Sequence, residues 1–90
     1  MITLDDAKAY LKIDYGDEDD LISNFIKSAR KLVQDVGRLT DEEVDSDDAT
    51  IDIAIKFTVG YLYENRSTPD YKKLTLNLRS ILFAQREGTI

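Results

Sequence analysis

The strongest constraint on the fold is an apolar stripe that begins at an acidic cluster, Glu18-Asp19-Asp20, and ends before Gly37. Its apolar members recur at the three- and four-residue spacing of one helix face: Leu21, Ile22, Phe25, Ile26, Ala29, Leu32, Val33 and Val36. Polar residues fill the opposite face, so the pattern predicts an amphipathic helix over residues 18–36. The carboxylates at its start favour the positive end of the helix dipole, and Gly37 is suited to end it.

Two helices are predicted on either side of this element. Thr3 and Asp6 have the spacing of a capping box, which opens an N-terminal helix, and Gly16 breaks the chain after it. Residues 50–65 are apolar around most of the helix circumference, which is typical of a helix buried against several neighbours. We therefore expect this third helix to lie at the centre of the fold, with Ile55 and Leu62 buried.

A last helix is predicted over residues 69–86. Thr68 is a favourable cap, Pro69 suits the first turn, and Gly88 follows as a stop signal. The sequence shows no strand-like alternation. The expected fold is therefore all-α, a compact bundle of about four helices that forms a single domain over residues 1–90.

Residues 38–49 link the second and third predicted helices, and we call them the acidic connection. This segment carries six carboxylates: Asp41, Glu42, Glu43, Asp45, Asp47 and Asp48. It does not encode a calcium loop, because an EF-hand counted from Asp45 would place Thr50 at the glycine position and Lys56 at the bidentate glutamate. At 12 residues it is long for a loop, so we expect it either to be mobile or to make a specific contact.

Composition and charge argue against several classes of function. The chain has no His and no Cys, and its four Gly are scattered, so common catalytic bases, thiolate sites and phosphate loops are missing. Residues 1–50 carry 14 acidic against 6 basic side chains, a net −8, whereas residues 51–90 carry 4 against 6, a net +2. No apolar run approaches the ~20 residues of a membrane span. We expect no enzymatic activity, metal, cofactor or membrane contact, and no free-standing DNA reader.

The last predicted helix has a second apolar face. Leu76 and Phe83, seven residues apart, lie opposite the predicted core positions Tyr71, Leu74, Leu78, Ile81 and Gln85. Lys72 and Arg79 flank this second face. Such a face on the terminal helix of a small domain indicates contact with another chain. Its acidic complement is expected in the first half of the sequence, around Asp17–Asp20 or in the acidic connection.

The end of the third predicted helix has two interpretations. Gly60 costs about 1 kcal/mol relative to Ala inside a helix, which close approach of another helix explains better than a hinge does. Arg66 can meet the free carbonyls at the helix end, which is a structural role. Alternatively, Tyr63 and Arg66 face another subunit.

Two segments together resemble a known family. The start Thr3-Leu4-Asp5-Asp6-Ala7-Lys8 is followed by the acidic cluster and Leu21-Ile22, and the third helix ends on Tyr63-Glu64-Asn65-Arg66. In order and spacing these motifs resemble the small head–tail connector (adaptor) proteins of long-tailed bacteriophages. The chain departs from the family at Ile81–Arg86, which lacks the Pro and Tyr of the usual ending.

The resemblance implies a structural virion protein of a phage or prophage, made in the bacterial cytoplasm and located at the head–tail junction. It would form a homo-oligomeric ring under the portal protein, extend the DNA channel and dock the next connector or tail-completion protein. The isolated chain could still be a monomer. DNA would pass without tight binding, which makes the carboxylates of the acidic connection candidates to line the channel. The alternative is a small bacterial adaptor or regulatory domain that binds one protein partner.

Overall fold

The computed structural model describes residues 2–87, and side chains as far as Phe83. Within that range the chain forms five α-helices and no strand: α1 (Leu4–Leu11), α2 (Asp19–Gly37), α3 (Asp41–Val44), α4 (Ala49–Glu64) and α5 (Tyr71–Glu87). The predicted all-α fold is confirmed. The four expected helices are present, and α3 is an additional one.

The first helix begins with the predicted capping box. The Thr3 hydroxyl accepts a hydrogen bond from the Asp6 N–H at 3.1 Å, and the Asp6 carboxylate accepts one from the Thr3 N–H at 3.0 Å. The bond from the Thr3 backbone lowers the pKa of the Asp6 carboxyl. Lys12 ends the helix in the left-handed region, with φ of 60°.

The helix α2 ends close to the predicted residue, but for a different structural reason. Gly37 is the last helical residue, but Arg38 is the residue in the left-handed region, with φ of 52°. Gly37 is needed for packing instead: a Cβ there would lie 3.1 Å from Leu39 Cγ and 3.1 Å from Leu82 Cδ1. The missing side chain therefore lets α5 approach the end of α2.

The core lies mainly between α2, α4 and α5. Ile55 and Leu62 of α4 are buried as expected, and α4 packs against α1, α2 and α5. However, α2 contacts all four other helices, so it shares the middle of the bundle with α4. One flank of α4 faces solvent, where Ile53 is 57 % exposed.

The acidic connection contains α3 rather than a plain loop. Thr40 and Glu43 form a second capping box, with bonds of 3.1 Å and 2.9 Å between side chains and backbone N–H groups. Val44 is only 1 % exposed and joins the hydrophobic core. This buried valine anchors a segment for which the sequence pattern predicted only a link between two helices.

The start of α5 also differs from the prediction. The helix begins at Tyr71 rather than residue 69, and Asp70 caps it by accepting a hydrogen bond from the Lys73 N–H at 3.0 Å. Tyr71 is exposed rather than in the core, whereas Leu82, which was not expected there, is buried. The predicted stop at Gly88 and the Gln85 side chain lie outside the described residues.

Candidate functional site

The outer side of α5 presents the apolar face that the sequence predicted. Leu76 is 53 % exposed and Phe83 is 63 % exposed, and Lys72 and Arg79 are exposed on the same helix face. We call these four residues the basic α5 face. Neither cation has an ion-pair partner within the described side chains, and residues 71–83 contain no acidic residue.

The inner side of α5 fixes this face in place. Leu74 and Leu78 are both 0 % exposed and belong to the hydrophobic core. Two faces of one helix therefore have different roles, since one side attaches α5 to the bundle and the other offers apolar and basic groups to solvent. Beside Phe83, Arg38 and Val36 line a hollow of about 280 Å³ that continues this surface.

A second exposed surface is a groove of about 450 Å³ between the end of α1 and α4, which we call the aromatic groove. Its walls are Tyr10, Phe57, Tyr61 and Tyr63, and its charged members are Lys12 and Glu64. Gly60 lies beneath the Tyr10 ring, because a Cβ at Gly60 would be 3.1 Å from Tyr10 Cε2. The close neighbour predicted at Gly60 is thus a side chain of α1. The sequence did not predict the groove.

Tyr63 and Arg66 converge on one carboxylate of their own chain. The Tyr63 hydroxyl donates to Glu18 Oε1 at 2.6 Å, and Arg66 Nη1 donates to Glu18 Oε2 at 2.7 Å. The Tyr15 hydroxyl lies 3.4 Å from Glu18 Oε1, and the Arg66 guanidinium lies 4.7 Å from the centre of the Tyr63 ring. This Glu18 cluster joins the end of α4 to the start of α2.

The Glu18 cluster shifts the protonation of its members. The hydrogen bonds from Tyr63 and Arg66 favour the ionised carboxylate and lower the pKa of Glu18. The same Glu18 bond raises the pKa of Tyr63 to about 12. Arg66 therefore pairs with a carboxylate of its own chain, rather than with the helix-end carbonyls or another subunit as the two sequence interpretations had it, and its side chain is about half exposed.

Most carboxylates of the acidic connection have partners in the same chain. Asp41 accepts a bond from Gln34 Nε2 at 2.6 Å, and Asp45 pairs with Arg30 at 2.6 Å. Glu43 caps α3, and Asp48 caps α4 by accepting from the Thr50 and Ile51 N–H groups. Glu42 and Asp47 are exposed. The structure thus holds this segment against α2.

The turn between α1 and α2 is the other acidic region named from the sequence. Asp19 forms an ion pair with Lys8 at 2.8 Å, and Glu18 belongs to the cluster described above. Asp14, Asp17 and Asp20 are exposed. Intrachain contacts therefore leave part of this region available to a partner.

Two further observations concern metals and membranes. In the part of the chain that the structure describes, no three acidic side chains are grouped as metal ligands would be. None of the helices in residues 2–87 is long and apolar enough to cross a membrane.

A family model, described as phage gp6-like head-tail connector protein, matches residues 1–90. The chain belongs to this family. The connector family that the sequence motifs indicated is therefore confirmed, and the protein is a bacteriophage head–tail connector. As a connector it is a virion component that assembles with other virion proteins such as the portal and tail. Comparisons with curated proteins and with solved structures give no match to the connector.

Proposed function

We propose that this connector forms a homo-oligomeric ring under the portal of the filled head, extends the DNA channel and docks the next connector or tail-completion protein. Family membership supports the location. The ring assembly is supported by the basic α5 face, which exposes two large apolar side chains on a helix whose opposite face is buried. Exposed apolar groups in such an arrangement mark contacts with another chain.

A closed ring of identical subunits needs a heterologous interface, in which one patch on each subunit meets a different patch on the next. Leu76 and Phe83 would supply the apolar part of one patch, with Lys72 and Arg79 beside them. The excess of acidic residues in the first half of the chain favours a partner patch there, since opposite charges guide encounter and fix register. Tyr63 and Arg66 are a second candidate contact, through the exposed part of the guanidinium.

The acidic connection is the candidate lining of the DNA channel. Its α3 is anchored by Val44 and by the Arg30–Asp45 ion pair, so its carboxylates would stand on a fixed segment. Asp41, Glu42, Glu43 and Asp47 are exposed, and hydrogen bonds or ion pairs hold Asp41, Glu43, Asp45 and Asp48 in fixed positions. A wall of carboxylates repels phosphates, which would let packaged DNA pass without being held.

The test is imaging of the purified connector, alone and with its portal, by mass photometry and negative-stain microscopy. Wild-type protein is expected to form rings, either alone or on the portal. A double variant, Leu76→Ser with Phe83→Ser, should stay folded by circular dichroism but lose both ring formation and portal binding. A matched control, Lys73→Ser with Asn77→Ser, changes exposed residues of the same helix and should assemble normally.

Three results would count against the proposal. Unfolding of the Leu76/Phe83 variant would place these residues in the core. Normal assembly of that variant would place the interface elsewhere, with Tyr63 and Arg66 as the next positions to change. A complex of one connector with one partner, and no ring under any condition, would favour a simple adaptor.

A further inference from the structure

We infer that the aromatic groove is the receptor for the basic α5 face of a second copy of this chain, so that these two surfaces form the repeating contact. The inference rests on the ring assembly proposed above and names the acceptor surface. It places that surface between α1 and α4, beside the acidic α1–α2 turn, rather than in the acidic connection, which was the other region that the sequence offered. Four observations support it: space, length, charge and the separation of the two surfaces.

The groove has the space and the chemistry to receive apolar side chains. An apolar cavity of ~150 Å³ is enough to hold a benzene molecule. The aromatic groove, at about 450 Å³, exceeds that volume about threefold. Phe57, Tyr61 and Tyr10 offer ring faces and edges for Phe83 and Leu76, and aromatic pairs add to simple burial. The absence of a side chain at Gly60 lets the Tyr10 ring, one wall of the groove, pack closely against α4.

The two surfaces also match in length. The basic α5 face runs from Lys72 to Phe83, which spans about 16 Å at 1.5 Å per residue. On α4, the face that carries Phe57, Gly60 and Tyr61 begins with the exposed Ile53 and ends at Glu64, again about 16 Å. Ile53 extends the apolar floor beyond the groove itself. The two stretches are therefore equal in length, and the Tyr10 ring lies over the α4 stretch at Gly60.

The charges around the two surfaces are opposite. The α5 surface carries Lys72 and Arg79 without any acidic residue between positions 71 and 83. The groove contains Glu64, and its Tyr63 wall is bonded to Glu18 at the α1–α2 turn, where Asp14 and Asp17 are exposed. Lys12 is the one cation among the residues that line the groove. Carboxylates of both acidic regions are bonded within the chain, but only the α1–α2 turn is joined to the groove, through the Tyr63–Glu18 hydrogen bond.

The donor and acceptor surfaces lie on different helices of the same subunit. The groove is formed by α1 and α4, whereas the basic face is on α5. One copy can therefore donate to its neighbour and accept from another at the same time. This is the heterologous arrangement from which rings are built.

Site-directed crosslinking tests the inference directly, because the chain has no cysteine of its own. Ser80→Cys, at an exposed position beside Leu76, is mixed with Lys12→Cys, at an exposed position of the groove, so that Phe83 and the aromatic walls stay intact. The mixture is oxidised or treated with a short bismaleimide. We expect the mixed dimer to form several-fold more than either homodimer. A chain that carries both substitutions should give a ladder of covalent oligomers. Asn24→Cys, at an exposed position of α2, replaces Lys12→Cys in the collision control.

The inference is overturned if the mixed dimer forms no faster than the Asn24→Cys control. If Lys12→Cys protein unfolds, Ile53→Cys provides a second acceptor position with the same expected result. Charge reversal gives an independent measurement: Glu64→Lys should lower the crosslinking yield, and Arg79→Glu in the partner should restore it. No change with either substitution contradicts the assigned acceptor.

The outcomes separate this inference from the proposed ring. Rings of wild-type protein on the portal without the crosslink between positions 80 and 12 would leave the ring proposal standing and place the acceptor elsewhere. Crosslinking without rings under any condition would keep the pairing of the two surfaces and overturn the ring.

Discussion

Replacing Gly60 with Ala tests whether a methyl group can be accommodated beneath the Tyr10 ring in the aromatic groove. A Gly inside a helix costs about 1 kcal/mol relative to Ala. The added Cβ would lie 3.1 Å from Tyr10 Cε2, which is closer than ordinary contact, so the ring must shift by a few tenths of an ångström. Tyr10 is about half exposed and has solvent to move into. We therefore expect Gly60→Ala to stabilise the folded state by about 0.4–1 kcal/mol.

Gly37→Ala is the matched comparison, because its new Cβ meets neighbours at the same distance. There the close atoms are Leu39 Cγ and Leu82 Cδ1, both at 3.1 Å. Leu82 is buried against the core and cannot move into solvent as Tyr10 can. Overpacking of this kind costs about 1–3 kcal/mol, so the same substitution should have the opposite sign.

Thermal unfolding followed by far-ultraviolet circular dichroism measures both changes. A change of 1 kcal/mol shifts Tm by about 4–8 °C in a domain of this size. Gly60→Ala should raise Tm by roughly 2–8 °C, and Gly37→Ala should lower it by roughly 4–24 °C. A lower Tm for Gly60→Ala would refute the reasoning, since it would show that the Tyr10 ring is held in place. Because the methyl group also enters the groove, a more stable Gly60→Ala monomer should assemble less well.

Three other predictions follow from single features of the structure. The pKa of Glu18 is lowered in the folded state. The Glu18 cluster therefore stabilises the protein at pH values above the ordinary pKa of 4.5. This contribution is lost as the pH falls through the lowered pKa. Urea midpoints measured from neutral to acidic pH should therefore drop less for Glu18→Gln than for wild type; equal drops would contradict the assignment. Leu78→Ala should cost about 2–5 kcal/mol by chemical denaturation, and Leu76→Ala well under half of that, whereas equal costs would mean that the outer face of α5 is packed. The purified connector should not retain DNA at physiological salt in a mobility-shift assay, and tight binding would argue against an acidic channel lining.

Periodicity was a sufficient guide to the long helices. The stripe of α2 and the apolar residues of α4 gave bounds within one residue of those observed, because many side chains repeat at helical spacing there. The same geometry put Leu76 and Phe83 on a face of α5 opposite Leu74 and Leu78. Features that depend on one helix face alone can be predicted from the sequence.

Two of the missed features depend on contacts between residues far apart in the sequence, and the third, α3, is too short to show a helical period. The helix α3 has one buried apolar residue, Val44, and a single residue cannot show helical periodicity. Its capping box was the available signal, because Thr40 and Glu43 have the same spacing as Thr3 and Asp6. Tyr63 and Arg66 find Glu18 from 45 and 48 residues away. The aromatic groove needs the position of α1 relative to α4, which hydrophobic periodicity does not determine.

The attachment of α5 through Leu74 and Leu78 has a kinetic consequence. Since these leucines are completely buried, the outer face of the helix is already ordered in the free subunit. Binding through this face therefore loses little conformational entropy, and the subunit does not first have to adopt a rare open conformation. The association rate should therefore depend on the electrostatic attraction between subunits and on subunit concentration. The lifetime of each assembled contact should depend on how completely Leu76 and Phe83 are buried in it.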